Sequence, residues 1–349
     1  MPELAVLLLA HGTPETVEQI PEYLRNVVSG RPVPQAVVEE IQHRYAQIGH
    51  SPLTEITFAQ ARLVEGELAA AGEVIPVYVG MRNWRPYIPE VVRKMRADGI
   101  EEAAVICMAP QNSRTSVGLY RRAVEAEAAG LRIDFTDGWA RHPLLVDAFA
   151  ERLRPALAKL HTEIGEPVPV LFTAHSVPTR TVEAQVEDKS DSAFHPSRND
   201  KDAARAAHPD AAKAGQPVWP GQGADPYAAE ARHTAELVAE RVKEISQWWF
   251  AFQSQGASGG PWLGPSVEET LDTIAAGGVK SLVLQPIGFL CDHVEILFDV
   301  DRHFRDYAAK LGMRLERPES LNGSPTLARA VADLARKGLA RLRRSSTNA

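Results

Sequence analysis

The sequence holds two cysteines among 349 residues, Cys107 and Cys291, and neither belongs to a CxxC pair or a four-ligand cluster. A disulfide framework and a thiolate metal site are thereby excluded. Each thiol closes an apolar run, the setting of a buried, reduced cysteine in a cytosolic protein. No stretch approaches the roughly 18 uninterrupted apolar residues of a membrane helix. The apolar run Leu4–Ala10 has no cationic segment before it and a polar His-Gly-Thr-Pro behind it, so it reads as a first strand and not as a signal peptide. No phosphate loop of the form GxxxxGKS or GxxxxGKT is present, and no GxGxxG follows a predicted strand, which counts against a nucleotide cofactor. Positive charge is not in excess either, with Lys+Arg 38 against Asp+Glu 45 and a net charge of -7. Nucleic acid is therefore not an expected partner.

What is present fits a soluble globular protein: 44% hydrophobic and 24% charged residues, in a chain long enough for about two domains. Short apolar runs bounded by Gly, Pro and polar turns alternate with helical segments, which predicts α/β architecture with parallel sheets. The runs are Leu4–Ala10, Ile75–Val79, Ala103–Met108 and Leu131–Phe135, then Val168–Thr173, Trp249–Phe252, Ser281–Gln285 and Met313–Leu315. The two sets of four open alike, Ala10-His11-Gly12-Thr13-Pro14 and Ala174-His175-Ser176-Val177-Pro178, and Pro110 and Pro286 follow their third strands. An internal duplication into two βαβ domains is expected, 1–145 and 146–349, with the ligand in the cleft at the carboxyl ends of the strands. A polar segment at about 183–223 interrupts the second copy and is expected to be a surface insertion. Arg336, Lys337, Arg341, Arg343 and Arg344 crowd a terminal helix. Such cations are ordinary partners of the helix dipole, and the alternative is weak peripheral contact with an anionic membrane.

Strand-end residues are the ones that can carry chemistry. His175 follows an apolar strand directly, where an imidazole suits a proton acceptor, a metal ligand or a plain hydrogen bond to a neighbouring carbonyl. Glu295, Asp299 and His303 recur at every fourth position after Pro286-Ile287-Gly288-Phe289. On an α-helix that spacing makes a row along one face, each member about 6 Å further along the axis. The row could pass Fe(II) or protons, or be a solvated acidic face. The loops Met81–Pro86 and Gln111–Tyr120 mix arginines and hydroxyls with Trp84 and Tyr120. That mixture suits a flat apolar ligand with carboxylates at its edge, or else ordinary surface loops.

Ordered blocks through nearly the whole chain resemble one family, the ferrochelatases, which insert ferrous iron into a porphyrin in haem biosynthesis. They include His11-Gly12-Thr13-Pro14, Arg44-Tyr45, Ser51-Pro52-Leu53, Gly80-Met81-Arg82 and Ala174-His175-Ser176. Further on come Asp225-Pro226-Tyr227, Gly260-Pro261-Trp262-Leu263-Gly264-Pro265, Asp292-His293-Val294-Glu295 and Glu319-Ser320-Leu321-Asn322-Gly323. The resemblance implies two similar Rossmann-like domains with the porphyrin in the cleft between them. It implies that His175 and Glu295 are the catalytic and iron-handling pair, facing each other across the macrocycle, with Asp299 continuing the acidic row; by its spacing His303 extends that row as a metal or proton path. His11, Arg44, Tyr45, Ser51, Arg82, Trp262 and Phe289 are then expected around the porphyrin.

The chain departs from the family pattern in four places, one of them the unusually long interval between His175 and Asp225. The C-terminal stretch lacks the cysteines of members with an iron–sulfur cluster, so neither a cluster nor another resident cofactor is expected, with Fe(II) as substrate. His11 stands where the family usually has Met or Tyr, and Ile48-Gly49-His50-Ser51 is one residue shorter than usual. Both bear on the cleft and leave protoporphyrin IX and coproporphyrin III open as substrates. A non-catalytic tetrapyrrole or metal carrier and a sirohydrochlorin-type chelatase are the alternatives. A cytoplasmic location is expected, and the sequence is silent on oligomeric state.

Overall fold

The computed structural model describes residues 3–182, 225–255 and 260–347, with side chains to residue 345. Eight strands form at β1 (Glu3–Ala10), β2 (Val77–Met81), β3 (Ile100–Cys107), β4 (Arg132–Thr136), β5 (Val170–His175), β6 (Trp248–Gln253), β7 (Ser281–Pro286) and β8 (Arg314–Glu316). They make two parallel four-stranded sheets with the same order, β2-β1-β3-β4 and β6-β5-β7-β8. The central strands read as unbroken apolar runs because helices cover both faces. Leu8 lies opposite Val79 and Ile106, and Phe172 opposite Phe250 and Gln285, all of them buried.

Two strands, β2 and β5, start two residues later than their apolar runs suggest, for one reason. Pro76 and Pro169 have no N–H to give a ladder; their carbonyls instead accept from Val6 and Val283 as the strands begin. The duplication extends into the loops. At the end of β2 the Met81 N–H donates to the Pro86 carbonyl, and in β6 the Phe252 N–H donates to the Pro265 carbonyl.

Helices fill the connections: α1 (Ile20–Val27), α2 (Gln35–Ile48), α3 (Leu53–Ala70), α4 (Ile88–Ala97), α5 (Val117–Glu125) and α6 (Pro143–Ile164) come first. Then follow α7 (Tyr227–Arg241), α8 (Val267–Ala276), a π-helix (Glu295–Phe304), α9 (Arg305–Lys310) and α10 (Pro325–Thr347). The expected boundary at residue 145 falls in the first turn of α6, and one apolar core runs from Val6 and Leu8 through α6 to Phe172 and Val283.

The terminal helix, expected with the second half, returns to the first sheet and packs on β3, β4 and α3. Gly338 permits that approach, since a Cβ there would stand 3.0 Å from Ala104 and from Asp134. Of its cations, Arg341 is held by Asp134 and Lys337 by Asp333. The expected insertion at 183–223 lies outside the described residues. Among the described residues no helix is long and apolar enough to cross a membrane.

Candidate active site

In both sheets the strand order reverses beside the first strand, and a crevice opens at the carboxyl ends there. The two crevices face each other and form a cavity of about 300 Å³, walled by Ala10-His11, Met108-Ala109, His175 and Gly288-Phe289. Its other lining residues include Tyr23, Arg82, Ser113, Thr115, Tyr120, Tyr227, His293 and Glu295. Glycines let the strand ends come this close. Gly12 has φ +78, and a Cβ there would lie 2.8 Å from the Met81 Cβ; one on Gly288 would press the Ala174 backbone at 3.2 Å.

His175 Nδ1 and Glu295 Oε2 are 3.1 Å apart. Both side chains are half-buried, but these two atoms are closed to solvent and have no other hydrogen-bond partner. His293 stands behind, its Nε2 3.8 Å from the same oxygen, its Nδ1 3.0 Å from the Cys291 carbonyl oxygen, and its ring against Phe289. Burial disfavours charge on both members of the pair, yet each overrides that for the other. Glu295 raises the His175 pKa, and His175, helped by His293, holds the Glu295 carboxyl well below its usual range. Both shifts favour the imidazolium–carboxylate pair.

His11, at the equivalent strand end, is the opposite case. Burial, aided by the charge of Arg82, lowers its pKa to about 3, so the ring is neutral. Its Nε2 is 2.9 Å from the Tyr23 hydroxyl, and the Asn83 amide lies 3.1 Å from it.

The ferrochelatase family profile matches residues 3–339. The chain belongs to the ferrochelatase family. The ferrochelatase of Acidobacterium capsulatum is 55% identical over 342 residues, spanning 98% of this chain and 96% of that one. That of Deinococcus radiodurans is 35% identical over 95% of this chain and 94% of its own. A coproporphyrin III ferrochelatase of Mycolicibacterium vanbaalenii is 32% identical over 95% and 88%.

Two solved structures share the fold. One is a multi-domain Deinococcus radiodurans protein with structural similarity to chelatases, at TM-score 0.54 and 13% identity, covering 96% of this chain and 55% of that longer one. The other is a sirohydrochlorin chelatase of Bacillus subtilis subspecies spizizenii in complex with cobalt, at TM-score 0.51 and 10% identity, covering 96% and 94%. The enzyme is thus a metal-chelating lyase that inserts ferrous iron into a porphyrin in haem biosynthesis. Neither a carrier nor a sirohydrochlorin-type activity is favoured.

Of the residues expected at the site, His11, Arg82, His175, Phe289 and Glu295 line the cavity. Contrary to the expectation, His175 and Glu295 do not face each other across the cavity: they touch, at 3.1 Å, on one wall. A flat macrocycle has no room between them. Arg44, Tyr45, Ser51 and Trp262 stand one layer back. Arg44 grips Asp299 and lies over the Phe298 ring, so it ties α2 to the π-helix. Ser51 Oγ accepts from the Val294 N–H just before that helix, and Tyr45 is packed with Tyr23 and Trp84. Trp262 lies beside Pro178, outside the lining.

The acidic row is real but not α-helical. Bonds from i to i+5 widen each turn, and the row runs outward from Glu295 in the cavity, through buried Asp299, to exposed His303 paired with Glu268. Asp299 accepts from the Ser254 hydroxyl and Arg44; burial, with the charge of Glu295, raises its pKa against both. Among the described residues no three His, Cys, Asp or Glu side chains form a metal-holding group. Sequence reasoning missed Tyr23, and it gave no role to Ser254 or to Asn83, which lies in the Met81–Pro86 loop. It also passed over His293 and Tyr227 as site residues, although both lie inside quoted motifs.

Proposed function

We propose that the macrocycle lies in the cavity with its central nitrogens against the His175–Glu295 pair, and that His175 is the acceptor of the pyrrole protons. The contact between His175 Nδ1 and Glu295 Oε2 in the wall of the cavity supports this reading. Insertion of Fe(II) displaces two N–H protons from the porphyrin. His175 can take one only after shedding its own, and Glu295, which holds the imidazolium in place, sets the pH at which that happens. Asp299 and His303 continue outward from the pair and offer oxygen and imidazole donors to ferrous iron or to departing protons. Neutral His11 presents an imidazole from the other sheet, suited to contact the inserted metal.

Arg82 is the one Lys or Arg among the described lining residues, and it lies over Tyr120 beside Ser113, Thr115 and Ser116. A porphyrin with carboxylates along one edge fits that distribution, which favours protoporphyrin IX over coproporphyrin III. Two buried free thiols fit a reducing, cytoplasmic setting. The test is anaerobic Fe(II) with each porphyrin and substoichiometric enzyme, followed by metalloporphyrin absorbance. Multiple turnovers with faster use of protoporphyrin are expected; faster use of coproporphyrin overturns the substrate assignment. Near-normal turnover by His175→Ala removes His175 as the proton acceptor.

A further inference from the structure

The segment Gln111–Ser116, which follows β3, carries hydroxyls into the cavity, yet its backbone is held from the other half of the chain. Ser113 and Thr115 line the cavity. The alternate amides turn away from it: the Asn112 N–H donates to Glu230 Oε2 at 2.6 Å and the Arg114 N–H to Asp225 Oδ2 at 2.6 Å. Asp225 is fully buried, and its second oxygen accepts from the Tyr227 N–H at the start of α7. Along the same helix Thr234 bonds Gln111, and the Tyr227 hydroxyl donates to the carbonyl of His175 itself. One short stretch, Asp225 to Thr234, thus touches both the hydroxyl-bearing rim and the catalytic strand end.

We propose that Asp225 and Glu230 are positioning residues that lock the register of the 111–116 rim so that Ser113 and Thr115 face the porphyrin edge. The segment runs into a turn over 114–116, closed by the Ser116 N–H donating to the Ser113 carbonyl, so no strand ladder sets its path, and a shift along the two carboxylates carries Ser113 and Thr115 out of their places in the lining. Charge-assisted bonds to backbone N–H groups are the strong kind, and two at alternate residues fix that register. The proposal rests on the reading that this rim binds the macrocycle.

Steady-state turnover is measured for the full-length enzyme and for Asp225→Asn, Glu230→Gln and Ser113→Ala, with thermal unfolding of each. The latch variants are expected to raise the porphyrin KM at least about fivefold, with kcat and the iron KM within about twofold. An unchanged porphyrin KM in both, whatever the fall in unfolding temperature, overturns the proposal and leaves a purely structural role. Should the carboxylate variants fail to fold, Gly138→Ala serves instead. Its Cβ would stand 3.0 Å from the Asn112 Cβ and 3.3 Å from Glu230 Oε2, crowding the latch from outside the cavity, and an unchanged KM there is equally fatal. Ser113→Ala separates the two ideas. Raised KM in Ser113→Ala alone keeps the rim reading and defeats the latch, whereas raised KM in the latch variants alone keeps the latch and removes Ser113 as the contact.

Discussion

At the end of β1 the His11 imidazole sits between the Tyr23 hydroxyl and the Asn83 amide, whereas at the end of β5 the His175 imidazole meets a carboxylate at 3.1 Å. Both residues stand at the carboxyl end of the strand that comes first in the chain within its sheet, the two sheets have the same order, and both follow an alanine. Their surroundings separate them. Arg82 adds to burial at His11 and leaves a neutral ring; Glu295 overcomes burial at His175 and favours a cation. Two copies of one turn hold imidazoles whose pKa values are pushed in opposite directions because the neighbouring charge differs in sign, which is how environment assigns acid and base roles.

The contrast can be broken most severely at His175. His175→Ala is expected to lower kcat by about 10²–10⁴-fold, the usual scale of a lost proton acceptor, while porphyrin binding followed by fluorescence quenching stays close to wild type. Next comes Glu295→Gln. Because Glu295 raises the His175 pKa, the base form gains ground only as pH rises through that raised value. The wild-type kcat/KM should therefore climb with pH above 6.5, the ordinary histidine value. Removing the carboxylate should move that limb to lower pH, with kcat down about tenfold; a limb that stays put in Glu295→Gln dissolves the coupling.

A smaller effect is expected outward from the pair. Asp299→Asn should raise the iron KM about threefold with the porphyrin KM unchanged, and an unchanged iron KM takes Asp299 off the path. The least kinetic effect belongs to His11→Ala. It should alter the Soret band of the product complex while kcat stays within about threefold; an identical spectrum reduces His11 to a hydrogen-bonding residue of its strand end.

Much of this was legible in the residues. The central strands announce themselves as continuous apolar runs, since a parallel strand is buried on both faces, and the doubled Ala-His turns reveal the repeated architecture. His175 could be named from its strand end, where such folds place their ligands, and Glu295 from its spacing with Asp299 and His303, whereas His11, Arg82 and Phe289 were placed at the porphyrin through the family motifs. Tyr23 was not legible: it is an ordinary aromatic on the buried face of α1 until that helix docks beside β1. Arg44 and Ser51 carried a recognisable pattern but the wrong location, because a motif marks which residues matter and not whether they stand in front of a cavity wall or behind it. The terminal helix misled for a similar reason, its partner strands β3 and β4 lying some two hundred residues earlier in the chain.

Periodicity and composition by themselves determined the class of fold, its doubling and the strand ends from which chemistry would come, because those follow from local burial and turn chemistry. Tertiary structure alone decided that His175 and Glu295 touch on one wall, that the acidic row winds as a π-helix and that α7 holds the rim of the opposite sheet. Each of these depends on contacts between segments more than a hundred residues apart, set by how rigid elements pack and by charges that interact only once burial has stripped away water.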